Sequence, residues 1–348
     1  MKEPQHIQCK KVAVVLLGYN SVDYLAEFIP SVLKTDYDDF DLVYVDNASK
    51  DDSVNYVKEH FPEVKIFRIY ENHGFTGGYT NSLPYIKAEY FVLLNSDVEV
   101  EPDWLKYQME RMESNEKLGA VQPKILHQKN KALFDYAGAS GGYIDKFGYP
   151  FCRGRIFNHI EKDEGQYDDS RSIFWASGAC MLVRSELYHR LGGLDNDFYA
   201  HMEEIDLCWR IKNAGYDIEV VPEAVVYHVG GSIISYGSFE KIYHNFRNNL
   251  VMMYKNLPSS LLIPRLIPRL FLDLAAAAKA LVSGNFTEFR AILKADADFV
   301  FSLGKWKKNR NQAQIHCAVQ PNTAGSYPRS IVSDFFVRGR KNFSELNY

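Results

Sequence analysis

Three polar clusters in this 348-residue chain carry side chains able to do chemistry. The first is Asn95-Ser96-Asp97, directly after the apolar run from Tyr90 to Leu94. A carboxylate at the end of a buried strand is a good oxygen ligand for a hard cation such as Mg2+ or Mn2+, and such an ion can hold phosphate oxygens. It is equally a common turn residue that bonds its own backbone, so the stretch alone leaves both readings open. The second cluster, Glu203-Glu204-Ile205-Asp206, opens an apolar-periodic stretch. Acids at a helix start suit the macrodipole. Crowded like charges also raise one another's pKa, which tunes a carboxylate towards general-base work. The third, His228, closes the run "VVYH"; alone it reads as a structural histidine, and beside Asp97 as a second metal ligand. Two further stretches are candidates for ligand contact. Asp46 in "VYVDNASKDDS" could face a ligand or cap the next helix, although Ser49 and Asp51 could also cap it. Gly74, Gly77 and Gly78 in "ENHGFTGGYTNS" could turn backbone N–H groups to an anion. Their spacing matches neither a P-loop nor a dinucleotide fingerprint, and a tight turn fits as well.

The elements that must position these groups follow from periodicity. "KVAVVLLGY", "FDLVYVDNAS", "VKIFRIYEN" and the run ending at Asn95 read as strands. Helical stretches lie between them, the first with Ser21 as its cap, and a glycine-rich turn opens the third. Alternating strands and helices with apolar strands predict a mainly parallel sheet covered on both faces, with ligands bound beyond the carboxyl ends of its strands. Tyr19-Asn20, Asp46-Asn47 and Asn95-Ser96-Asp97 all fall at such ends. From about 119 the alternation loosens, with a polar and mobile loop expected at "NHIEKDEGQYDDSRS". A strand and helix follow in "IFWASGACMLVRSELYHRLGG", then a helix stopped by Gly215 and two short strands ending at His228.

Composition narrows the class. Apolar residues make up 46% and charged residues 24%, as in ordinary globular proteins. A formal charge of −4 argues against broad nucleic-acid binding. The 23 Tyr and 22 Phe suit a deep core and a stacking or sugar-binding surface. Five dispersed cysteines form no Cys-x-x-Cys pair, which suggests reduced thiols in a cytoplasmic protein. No signal segment or spanning helix is expected.

Taken together and in order, "VVLLGYN", "VDNASKDDS", "NHGFTGGYTNS", "LLNSDVEVEPDWL", "WASGACMLVRSELYHRLGGLDNDFYAHMEEIDLCWRIKNAGY" and "PEAVVYHVGGS" resemble the family-2 glycosyltransferases, in particular the rhamnosyltransferase-like branch. The resemblance spans roughly residues 10 to 235. It implies an α/β fold of GT-A type, with a Rossmann-like nucleotide-sugar-binding half (about 10–118) and an acceptor half (119–235). Together these make a transferase domain over 1–235, followed by a mainly helical extension over 236–348. It further implies an inverting enzyme that uses Mn2+ or Mg2+ and moves a sugar from a UDP- or dTDP-linked donor, for example rhamnose. The acceptor would be a saccharide or lipid-linked molecule in cell-surface polysaccharide synthesis, and no nucleic-acid partner is implied. Residue by residue, Asp46 would read the N3–H of uracil or thymine, with Tyr19, Asn20, Gly74 and Gly78 around the nucleotide. Asp97 would close the Asp-x-Asp metal motif, here Asn95-Ser96-Asp97, with one charge fewer because of Asn95. His228 would complete the metal shell. Glu204 would be the base where the family usually has Asp, with Glu203 as the alternative and Asp206 in support. Trp175, Ser177 and Gly178 would border the sugar and acceptor cleft.

Beyond about 239, "SSLLIPRLIPRLFLDLAAAAKALVSG" is too interrupted by Pro264 and Pro268 to span a bilayer. It fits either an interfacial helix over 260–284 at the inner face of the plasma membrane, with Arg265 and Arg269 reaching headgroups, or a helix packed on the main domain. The basic tail from Lys305 either touches anionic lipid or is solvated. Two rival readings stand against transfer. An inactive nucleotide-sugar-binding assembly partner rests only on Asn95 and Glu204. A nucleotidyltransferase would need a basic glycine-rich first loop that "LLGYNSVDY" lacks.

Overall fold

The computed structural model describes residues 6–230 and 237–346. The expected domain boundary at 235/236 and the motif end Gly231-Ser232 lie outside them. The first half is built from β1 (Val12–Gly18), α1 (Val22–Leu33), β2 (Phe40–Asn47), α2 (Ser53–His60), β3 (Lys65–Ile69), α3 (Gly74–Ser82) and β4 (Tyr90–Asn95). The four strands run parallel in the order β3-β2-β1-β4, and β1 is buried along its whole length. That is why its sequence is continuously apolar rather than alternating.

The sheet then becomes mixed. β5 (Val98–Val100), α4 (Trp104–Ser114) and β6 (Leu118–His127) follow β4. A small second sheet begins with β7 (Gly142–Asp145), β8 (Pro150–Cys152), β9 (Arg155–Ile156) and β10 (His159–Ile160). The chain returns to the main sheet through β11 (Cys180–Arg184), α5 (Ser185–Arg190), α6 (Glu203–Asn213) and β12 (Asp217–His228). β11 runs antiparallel between β4 and β6, and β12 lies parallel to β6. The two short strands expected before His228 are a single 12-residue strand with an irregularity between Val221 and Val225. The polar loop after β10 is pinned, not free: Lys124 binds Asp163 and Asp168, and Arg153 binds Asp169.

The helices α7 (Phe239–Asn256), α8 (Ser259–Val282), α9 (Phe286–Phe301) and α10 (Leu303–Gln314) share one apolar cluster with the main sheet, through Leu250, Met253, Leu266, Phe299 and Trp306. The chain then adds β13 (Ser326–Tyr327) parallel to β7, and ends after α11 (Ile331–Phe336) with Phe343 stacked near Tyr143.

Three local expectations are corrected. Ser21 stands at the start of α1 but makes no side-chain cap bond; Asp51 from the next loop accepts the Val22 N–H instead, at 3.1 Å. Gly74 does open α3 in a left-handed conformation, at φ 72°, but Gly77 and Gly78 lie within the helix and not in a turn. A side chain at Gly78 would collide with Leu17 at 2.5 Å, so its smallness lets α3 lie directly on β1. Lastly, α8 is one continuous helix packed on α7 and α9, in spite of Pro264 and Pro268. Arg269 does not reach outward; it is buried, paired with Asp273 at 2.8 Å and stacked on Tyr149.

Asp206 joins α6 to α7. Its Oδ2 accepts from Lys255 at 2.8 Å and from Arg210 at 2.9 Å, and its Oδ1 accepts from Asn256 at 2.7 Å. Burial alone would raise this carboxyl's pKa, but Lys255 and Arg210 hold it below the ordinary value. Asp206→Ala therefore strands two buried cations, and urea denaturation should show a loss of about 3–5 kcal/mol. A loss below about 1 kcal/mol would show that this anchor is not structural.

Candidate active site

Strand register brings the first two functional groups together. β5 pairs antiparallel with the end of β12, with Val98 opposite His228, and the Val229 N–H donates to the Asp97 carbonyl at 3.0 Å. Asp97 Oδ1 and His228 Nε2 then lie 3.3 Å apart, both buried. The other ring nitrogen, Nδ1, faces Asp135 Oδ1 at 3.0 Å, and that carboxylate also accepts the Ala137 N–H at 2.8 Å. Burial alone would lower the imidazole pKa, but the two carboxylates outweigh it and raise it to about 10. The pair fits a divalent cation: 3.3 Å is close to the separation of about 3 Å between neighbouring ligands on one octahedral ion. Asp135 holds the ring by Nδ1 and so turns Nε2 towards Asp97.

The second pair arrives on a strained turn. Tyr199, His201 and Met202 all have positive φ, at 64°, 70° and 74°, although none is glycine. Such conformations cost roughly 1–3 kcal/mol each and persist only where the surroundings dictate them. Here the Asn248 side chain on α7 donates to the carbonyls of Phe198, Ala200 and His201 at 2.7–3.0 Å. The turn ends at α6, whose first two residues are Glu203 and Glu204. Each has one buried carboxylate oxygen with no hydrogen-bond partner. Burial, and after it the Glu204 charge, pushes Glu203 well above the usual carboxylate range. Burial also raises Glu204, but the N–H groups of Glu204 and Ile205 at the helix start hold it to about 7. Both carboxyls are thus held above the usual carboxylate range.

Both pairs line one cavity of about 600 Å³. Asn95, Trp175, Ser177 and Gly178 line it as well. Ser177 is set by its N–H to Gln122 Oε1 at 2.9 Å, and Trp175 by its indole N–H to the Tyr143 carbonyl at 2.8 Å. The remaining candidates lie elsewhere. Asp206 is part of the anchor described above, and Ser96 is buried outside the cavity lining. Asn20 spends its Oδ1 on the Lys50 N–H at 2.7 Å, latching two loops together. Gly74 packs against Tyr199, and Gly78 against Leu17. Tyr19 is half-buried beside Gly18, which pairs with Asp46 across β1 and β2. Asp46 is fully buried. One of its oxygens accepts the Ser49 N–H; the other has no hydrogen-bond donor and sits 3.7 Å from Arg68.

Asp135 and Asn248 were not anticipated from the sequence. Asp135 follows the short and mostly exposed strand Asn130–Phe134, which lacks the continuous apolar run that marks Asp46 and Asp97. Asn248 sits in a helix, with no such run before it.

The architecture is that of the GT-A glycosyltransferases, an α/β fold with a curled mixed sheet. A domain of UDP-, GalNAc- and Mn2+-bound GalNAc-T7 superposes with a TM-score of 0.57 at 16% identity, covering 71% of this chain and 48% of that one. The mannosyltransferase of Pyrobaculum calidifontis, solved with GDP-Man and Mn2+, gives 0.52 at 16% identity over 90% and 89% of the two chains. The glycosyl transferase family 2 profile matches residues 13–192, and the chain belongs to that family and is a glycosyltransferase. Among its relatives are the N-acetylglucosaminyl-diphospho-decaprenol L-rhamnosyltransferase of Mycobacterium tuberculosis and rhamnosyltransferase WbbL of Escherichia coli. The first is 22% identical over 232 residues, 62% of this chain and 75% of the relative. The second is 25% identical over 222 residues, 61% and 80%.

If Glu204 is the base, kcat/KM for transfer should fall about tenfold per unit below pH 7, because only its ionised form accepts a proton. Glu204→Gln should lower kcat by at least about a hundredfold, whereas Glu203→Gln should leave most of it. The reverse ranking would move the role to Glu203. A carboxyl whose pKa is raised on folding stabilises the protein below its unfolded value and loses that contribution as pH rises through about 7. Glu204→Gln should thus raise Tm more at pH 8 than at pH 5.

Proposed function

We propose that this chain transfers a sugar, with inversion, from a UDP- or dTDP-linked donor to a saccharide or lipid-linked acceptor in surface polysaccharide synthesis. The observation that carries this reading is that the Asp97–His228 pair and the Glu203–Glu204 pair line one cavity. Asp97 and His228 would hold a divalent cation, which when bound offsets the charge developing on the leaving diphosphate. Glu204 would take the proton of the acceptor hydroxyl as it attacks the anomeric carbon from the opposite face. Asp46 suits a uracil or thymine base, because its buried oxygen without a hydrogen-bond donor can accept an N3–H. Trp175, Ser177 and Gly178 would border the sugar. The division into a nucleotide half, an acceptor half and an extension is part of the proposal. Lys241, Asn245, Arg269 and Glu288 line the cavity from the C-terminal helices, so the extension would complete the site and not stand apart from it.

The name of the Mycobacterium tuberculosis relative specifies a lipid diphosphate acceptor, and one face of α8 suits work at a membrane surface. No helix among the described residues is long and apolar enough to cross a bilayer. Along α8, however, Ile263, Ile267, Phe271 and Leu274 form an exposed apolar row, and exposed Lys279, Arg290, Lys307 and Lys308 lie on this and the following helices. We place this row in the headgroup region.

Calorimetric titration of UDP with Mn2+ tests the site. The wild type and Glu204→Gln should bind alike, and Asp97→Ala should lose at least tenfold in affinity. Equal binding by the Asp97 variant would remove it as a metal ligand. For the surface, sedimentation with vesicles containing phosphatidylglycerol should capture the wild type and lose Phe271→Glu. Wild-type protein left in the supernatant would end that part of the proposal.

A further inference from the structure

Buried cations in this fold come with matched charge. Lys124, Arg153, Arg210, Lys212, Lys255 and Arg269 each have a carboxylate within 3.2 Å. Arg310 has none but closes on carbonyls at the end of α7, Tyr254 at 2.6 Å and Leu257 at 2.7 Å, where the helix dipole is negative. Arg155 differs. It is 7% exposed, and among the described residues no carboxylate lies within ion-pairing distance of its guanidinium. Its nitrogens donate to the Tyr136 carbonyl at 2.9 Å, the Phe157 carbonyl at 3.4 Å and Cys152 Sγ at 3.5 Å. Burial raises the Cys152 pKa, so that thiol stays neutral and supplies no counter-charge. The nearby Asp135 is committed to His228. A guanidinium has five N–H donors, so two are left over. The guanidinium carbon lies 4.2 Å from the centroid of the Tyr136 ring, and the group lines the same cavity as Asp97 and Glu204. A buried charge without a partner is costly, and a fold that matches its other buried cations keeps this one for a charge that arrives with a ligand.

We propose that Arg155 is an anion subsite of the cavity that grips a phosphate oxygen of a substrate through its two remaining N–H groups. Lys241 adds positive charge to the same lining. A planar fork suits phosphate bidentately. The inference rests on the cavity being the transfer site, where phosphate arrives from two sources, the diphosphate of a nucleotide donor or a diphosphate on the acceptor.

Titration of Arg155→Gln, with Arg155→Met in its place should the first not fold, separates these. The probes are UDP with Mn2+ for the donor side and geranyl diphosphate for the acceptor side. A loss of at least tenfold for UDP alone places the phosphate on the donor, and the same loss for geranyl diphosphate alone places it on the acceptor; either supports the subsite. Arg155→Lys, which keeps the charge, should retain most of the affinity. Unchanged affinity for both probes in the neutral variant, or an equal loss in the lysine variant, overturns the proposal. If UDP still binds through Asp97 while the Arg155 variants behave as wild type, the subsite fails and the transfer reading stands. If the wild type ignores both UDP and dTDP but binds geranyl diphosphate through Arg155, the transfer reading fails and the subsite stands.

Discussion

The site depends on one side-chain amide. Asn248 holds three carbonyl acceptors, those of Phe198, Ala200 and His201, in a turn whose residues occupy conformations that only glycine adopts readily. Without that grip the strain at Tyr199, His201 and Met202 would relax, and the first turn of α6 would no longer aim two carboxylates into the cavity. Lys255 and Asn256, two turns further along α7, fix the same helix through Asp206. The C-terminal helices are thus the brace of the site.

That brace explains an electrostatic contrast. Asp206 has three partners and stays ionised, while Glu203 and Glu204, in the same helical turn, each keep an oxygen without a hydrogen-bond partner. Neighbouring acids receive opposite treatment because α6 shows one side to α7 and another to the cavity. The unmatched acids and the unmatched Arg155 guanidinium line the same space. Charges that would be liabilities in a core become useful where a charged ligand is to be bound.

Much of this was legible in the chain. Continuous apolar runs gave away the parallel strands, and the polar residues at their ends, Asp46 and Asp97, marked the carboxyl edge of the sheet, because strand ends cannot be hidden by periodicity. The pairing of Asp97 with His228 needed the ordered motifs, since 131 positions separate them and no local pattern joins them. What stayed hidden was long-range. Gly78 resembled a turn residue because its packing partner, Leu17, is remote in sequence. Arg269 resembled a snorkelling cation because Asn249 and Tyr149, which face it, come from other elements. Asp206 looked like its acidic neighbours because nothing in "EEID" tells which side of a helix will meet Lys255.

The small sheet carries a consequence for the order in which the molecule is assembled. β7 is completed by β13, and the Asp145 carboxylate accepts the Ile331 N–H from 186 residues downstream. Tyr149 and Arg155, which line the cavity, stand on and beside this sheet. A chain emerging from the ribosome can close its parallel half early from local contacts, but this wall waits for residues 326–331 to be made. A chain cut before them would therefore hold the parallel strands without this wall of the cavity.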